Sequence, residues 1–291
     1  MTLTTPQAFD QFYASISVDA DISKKAETRR EAVVDVVKRA FPSTSTMRYV
    51  NNTLIGSMGR NTASRPFDDI DIMVHIAVDQ DLWARKYQGN SADFLYRVRT
   101  SLNSMSTVQK IGARGQAVRL FYADGLSVDV AAVVKYTTGG FGIPDGSGSW
   151  MTTDPIQHAS YVTARSAELK NNLRRFVIVV KQWNKAHSSR LSSFHLEMLA
   201  ARTFSSLGTN RRQALRLFFD HNSSNLSVHD PAGHSGDLSS YLSPRARVEV
   251  NQSMVAARDR ADLALAAENR GDHDEAKRLW RIILGSRFPT S

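Results

Sequence analysis

One short stretch limits what this chain can fold into: "FDDIDIMVHI", residues 67–76. Ile70, Ile72, Val74 and Ile76 fall on one parity, and Asp69, Asp71, Met73 and His75 on the other. Strand side chains alternate between faces, so this reads as a strand with one core face and one face carrying two acids. Residues i and i+2 stand about 6–7 Å apart. Two carboxylates held that close on a rigid strand call for a counter-charge. A divalent cation is the strongest one, and oxygen-only donors suit Mg2+ or Mn2+. The plain alternative is a solvated or salt-bridged strand end. Asp68 lies off the shared face and reads as a turn or cap residue. His75 shares the face and packs at its edge.

Two more segments bear on these acids. "LSVDVAAVVKY", residues 126–136, is an apolar strand with a single acid, Asp129. A lone acid between Val128 and Val130 is costly to bury without a partner. If this strand lies beside 69–76, Asp129 supplies a third carboxylate. It follows "AVRLFYA" across Asp124-Gly125, a hairpin signal. Upstream, Ile55-Gly56-Ser57 precedes Asp69. Glycine permits close backbone approach, and Ser57 at the start of a short helix offers N–H groups and a hydroxyl to phosphate.

The remaining chain frames these pieces. Residues 18–41 show apolar residues at helical spacing and predict one long helix. Residues 137–150 are Gly-rich and predict a loop. From residue 154 the pattern is almost wholly helical, over 155 onward, 172–186, 193–207, 210–220, 245–268 and 273–284. The last two helices are divided by "NRGD", with Gly271 as a left-handed cap and Asp272 and Glu275 as a capping box. On 172–186, Phe176, Val179, Val180 and Trp183 form the core stripe, and Lys181 falls off it, where a lysine is ordinarily solvated. Trp150 and Trp183 read as core. The expected division is residues 1–150, a core with the N-terminal long helix, and 151–291, a helical lobe completing a cleft.

Composition narrows the chemistry. The 291 residues carry 37 Lys and Arg against 28 Asp and Glu, a formal charge of +9 that suits a polyanionic ligand. With no cysteine, disulfides, thiol nucleophiles and cysteine-based zinc sites are excluded. No apolar run approaches 18 residues, and "MTLTTPQAFDQFYASISVDADI" lacks the basic start and apolar run of a signal peptide.

Together, Ile55-Gly56-Ser57, Asp69-Ile70-Asp71-Ile72 and Asp129 resemble the motif set of DNA polymerase β-like nucleotidyltransferases. "GSMGRNTASRPFDDIDIMV" is similar more narrowly to bacterial synthases of cyclic oligonucleotides, the CD-NTases of CBASS anti-phage systems. The order of "IPDG", "TDP", "VVKQWNK", "SSFHLE", "DPAGHSGDLSSYL" and "GSRFP" extends the resemblance from about residue 50 onward.

The resemblance implies an α+β fold: a polymerase β-like core with a mixed sheet and a C-terminal helical lobe, bilobal around a central active-site cleft. It implies two Mg2+ or Mn2+ ions on Asp69, Asp71 and Asp129. Gly56 and Ser57 then bind the triphosphate, with Lys181 and Ser193 reaching it and Ser192 as the neighbouring choice. Arg60 either binds phosphate or pairs with the aspartates. The implied activity is synthesis of a cyclic di- or trinucleotide from nucleoside triphosphates, ATP and GTP, UTP or CTP among them. The expected protein is a cytoplasmic bacterial monomer without membrane contact or obligatory DNA activator, with CBASS accessory proteins as partners. An RNA-extending poly(A)- or CCA-adding enzyme and an inactive nucleotide sensor remain open alternatives. The tail "GSRFPTS" reads as a frayed end or a conjugation handle, the frayed end being favoured.

Overall fold

A computed structural model describes residues 3–290, the side chain of Arg114 excepted. Five helices precede or interleave with the first strands: α1 (Thr5–Ile16), α2 (Ala20–Ala40), the short α3 (Gly56–Gly59), α4 (Gln80–Leu82, continued by a π-helical turn, Trp83–Tyr87) and α5 (Ser91–Leu102). Six follow them: α6 (Pro155–Glu168), α7 (Leu173–Ala186), α8 (Ser193–Thr203), α9 (Arg211–Asn222), α10 (Pro244–Asn269) and α11 (His273–Leu284). The strands are β1 (Met47–Leu54), β2 (Asp69–Val78), β3 (Lys110–Arg114), β4 (Ala117–Phe121), β5 (Ser127–Lys135), β6 (Phe141–Pro144) and β7 (Trp150–Thr153).

The chain forms two compact units. The first comprises residues 18–60 and 67–159; the second takes the described residues 3–17, 61–66 and 160–290. This division differs from the expected cut at 150/151. The first helix does not belong with the sheet, because Ala8, Phe9, Phe12 and Ile16 are buried in the helical core. Residues 61–66, in the middle of the Gly-Ser to Asp signature, also leave the sheet unit.

In the sheet unit the strand order is β1-β2-β5-β4-β3, with β6 on β5 and β7 on β6. β2 and β5 run parallel, and the other pairs antiparallel. Ile70, Ile72, Val74 and Ile76 are fully buried with Val33 and Val37 of α2 and Phe94 of α5. The alternation of β2 therefore assigns its core face correctly. Asp19 caps α2 by accepting the Ile22 N–H at 3.0 Å. Gly125 takes φ +83° in the β4–β5 hairpin, as the Asp-Gly pair predicts. The Gly-rich segment 137–150 is not a plain loop, since it contains β6 and the start of β7. β6 gives the other sheet face a small core of its own: Met73, Ala131, Val133, Phe141 and Ile143.

The helical unit is held by aromatic packing. Phe9 meets Trp280 edge-on at 5.0 Å and Phe288 at 4.9 Å. Phe288 is fully buried, and Arg281 donates to its carbonyl at 3.1 Å. The tail is therefore packed as far as Phe288 and not frayed; Ser291 lies outside the described residues. Gly271 has φ +79°, and Asp272 caps α11 by accepting from the Glu275 N–H at 3.1 Å. Glu275 does not complete the expected box, for its carboxylate accepts from Arg278 at 2.6 Å. Helix α8 stops at Thr203, short of the predicted 207. No helix among the described residues is long and apolar enough to cross a membrane.

Candidate active site

The pairing of β2 with β5 builds the site. Asp71 is in register with Asp129, so the two carboxylates are parallel-strand neighbours. Asp129 is in turn opposite Arg119 on β4. Asp71, Asp129 and Arg119 thus form one row across three strands, with Asp69 two residues before Asp71. The apolar cluster around Met73 begins directly beyond Asp71 and Asp129 on the same face.

Residues 55–60 close over Asp71. The Ile55 N–H donates to the Asp71 carbonyl at 2.9 Å, and Gly56 turns the chain with φ +59°. A Cβ on Gly56 would stand 1.9 Å from Asp71 Oδ2. Glycine is required here twice, by the left-handed backbone and by the carboxylate against it. Ser57 follows inside α3, as the sequence suggests. Arg60 is buried, and its charge lowers the pKa of Asp71. A cavity of about 500 Å³ opens beside Asp71 and Asp129, with Gln116, Asp145 and Thr153 also on its wall.

Electrostatics match the crowding. Burial pushes Asp71 up to about 6, helped by the charges of Asp69 and Asp129 and opposed by Arg60 and Arg119. Asp69 is also raised, by burial and then by Asp68 and Asp129. Both shifts mean that the charged forms lack compensation. These carboxylates fit a hard divalent cation in kind: oxygen donors only, clustered, and under-compensated. Among the described residues, though, no three such side chains are already gathered as a ligand group. Asp129 faces Arg119 instead, accepting from Nε at 2.6 Å and from a second guanidinium nitrogen. Arg119 is a residue that sequence reasoning passed over. Its signal was a charged position inside the alternating strand opposite the one carrying Asp129.

His75 is buried edge-on to Phe141, with its pKa lowered by burial, at the edge of the acidic face. Trp150 is half-buried against Trp83 and Phe94, and Trp183 is buried in the helical core.

In the helical unit, Lys181 is not on a solvated face. Helix α7 is buried on every side from Phe176 to Asn184, so position 181 has no water to reach. Lys181 Nζ donates to Glu197 Oε1 at 2.6 Å and to the Thr62 carbonyl at 3.0 Å. Thr62 Oγ1 donates to the same Glu197 oxygen at 2.9 Å. Glu197 was also passed over, though an acid inside the apolar run of "SFHLEMLAA" signals a buried partner. Gln182 and Lys185 donate to Arg65 and Ser64, which ties segment 61–66 to α7. Ser192, not Ser193, caps α8 by accepting the His195 N–H; Ser193 is the first helical residue and is exposed.

Comparison with known proteins gives the family and the fold. Residues 1–165 match the Second Messenger Oligonucleotide or Dinucleotide Synthetase domain. A probable cyclic nucleotide synthase of Bacillus cereus is 26% identical, over 100% of this chain and 99% of that protein. The cyclic AMP-AMP-AMP synthase of an Acinetobacter species is 25% identical, over 99% of this chain and 87% of that one. The fold is that of CdnC from E. coli, solved with ATP: TM-score 0.78, 16% identity, 99% of each chain covered.

Proposed function

This chain belongs to the Second Messenger Oligonucleotide or Dinucleotide Synthetase family, and on that premise we propose that it joins nucleoside triphosphates into a cyclic di- or trinucleotide. As a member of that family it is a nucleotidyltransferase. The observation that carries the proposal is the in-register pair Asp71 and Asp129, with Asp69 beside them and Gly56 against the Asp71 carboxylate.

Asp69 and Asp71, joined by Asp129, are the residues to hold two Mg2+ or Mn2+ ions. Such ions supply a lowered hydroxyl pKa on the attacking side and charge stabilisation on the leaving pyrophosphate. Gly56 and Ser57 present backbone N–H groups and a hydroxyl to the triphosphate. Met73 and Ile143 form an apolar part of the wall of the cavity beside Asp71 and Asp129. Arg60 tempers the charge of Asp71. Lys181, by donating to Glu197 and to the Thr62 carbonyl, ties segment 61–66 to α7 within the helical unit. Ser193 offers an exposed hydroxyl at the start of α8, with Ser192 beside it.

The rest of the reading belongs to the same proposal: a monomer of the bacterial cytoplasm, serving CBASS defence with its accessory proteins and needing no DNA. A trimer of adenylates is the product to seek first, since one relative is a cyclic AMP-AMP-AMP synthase. The test is incubation with labelled triphosphates, Mg2+ and no RNA. Phosphatase-resistant cyclic products, identified by mass and lost in an Asp69→Ala, Asp71→Ala variant, are expected. Strict dependence on an RNA end overturns the reading, as does triphosphate binding without pyrophosphate release.

A further inference from the structure

The Arg119–Asp129 pair carries a consequence for cation binding, resting on the reading of Asp69, Asp71 and Asp129 as the metal site. The two residues are direct neighbours across antiparallel strands. Their contact is a two-point fork, Nε to Oδ1 at 2.6 Å and a terminal nitrogen to Oδ2. Both carboxylate oxygens of Asp129 are thereby engaged by one guanidinium. A cation drawn to Asp129 must share these oxygens with a guanidinium charge that is already hydrogen-bonded to both and repels it. The charge of Arg119 also lowers the pKa of both Asp69 and Asp71, so one guanidinium serves the whole acidic row. Its side chain is 44% exposed, which leaves it room to swing away, whereas that of Asp129 is 16% exposed and anchored on a central strand.

We propose that Arg119 is a latch on the third carboxylate: it holds Asp129 off the metal site and competes with the divalent cation for it. In the metal-free protein it supplies part of the counter-charge that three clustered acids need. A cation that recruits Asp129 does so against this charge. Arg119 is thus a positioning residue that acts through Asp129 and sets the cation concentration at which the third ligand joins.

The experiment counts bound Mn2+ by electron paramagnetic resonance of the free ion, on the full chain without nucleotide. Arg119→Gln is expected to bind Mn2+ about tenfold more tightly than the unaltered protein, the worth of one charge-assisted hydrogen bond. Arg119→Lys keeps the charge but loses the fork, and should fall between. The gain should vanish when Asp129→Asn is combined with Arg119→Gln, because the latch then has nothing to hold. A gain that persists in the Asp129→Asn background overturns the proposal, since a general field would explain it. Unchanged or weaker Mn2+ binding in a folded Arg119→Gln protein overturns it too, and leaves the metal-site reading standing if Asp71→Asn abolishes binding. If Asp71→Asn has no effect on Mn2+ binding, the metal-site reading fails and the latch fails with it.

Discussion

Gly56 and Asp71 are so close that the glycine has no room for a side chain: a Cβ would lie 1.9 Å from one carboxylate oxygen and 2.7 Å from the carboxylate carbon. The left-handed backbone at φ +59° adds to the restriction. Gly56→Ala should therefore push Asp71 aside and lower the rate of synthesis by at least about a hundredfold, as misplacement of a reacting group by about 1 Å does. Pyrophosphate release measures it. A neighbouring substitution, Met58→Ala, touches neither restriction and should leave the rate within a few-fold.

The raised pKa of Asp71 predicts how stability depends on pH. Its carboxyl is pushed from 3.8 to about 6 by burial and by Asp69 and Asp129. The folded protein thus binds this proton more tightly than the unfolded chain does. The contribution favours folding below about pH 4 and is lost as pH rises through 6, by ~3 kcal/mol for a shift of that size. Asp69 acts with the same sign. Thermal melts in chelator between pH 5 and 8 should show the fall, and Asp71→Asn should flatten it and raise Tm at pH 8. Adding Mg2+ should restore stability at pH 8, because the cation binds the ionised form.

Lys181 and Glu197 form a buried pair, with side chains 4% and 0% exposed. Removing one charge strands the other in a dry interior. Lys181→Met or Glu197→Leu alone should each cost about 3–5 kcal/mol in urea unfolding. The double variant should recover most of that loss. If the single and double variants unfold alike, the pair is not what stabilises α7 against α8.

Phe288 lies in the helical core against Phe9 and Phe12. Phe288→Ala should lower stability by about 3–5 kcal/mol through lost burial and the cavity left behind. Thr290→Ala, two residues on and exposed, should change it little. Denaturant midpoints of the two variants decide whether the chain end is part of the core.

Much of the site was legible because its signals are local. The parity of Ile70, Ile72 and Val74 against Asp69 and Asp71 states which way each side chain points on a strand. The Asp124-Gly125 hairpin and the Asp272 cap follow from backbone rules that need only neighbouring residues. What was misread depends on burial by distant segments. Lys181 sits one step off an apolar stripe, and nothing near it in the chain announces that α7 is covered on every side. The aromatic side chains of α1 gave no sign that their partners were Trp280 and Phe288.

The sequence by itself determined the β2 face that carries two acids, the glycine before them and the single acid of β5, since residue type and period settle each. Tertiary structure alone decided their company. Parallel register set Asp71 beside Asp129, and antiparallel register set Arg119 opposite Asp129, because hydrogen-bonded strands choose partners by alignment across the sheet. It also gave Lys181 to Glu197 and Thr62, because an ammonium shut away from water must find its counter-charge wherever the fold has left one.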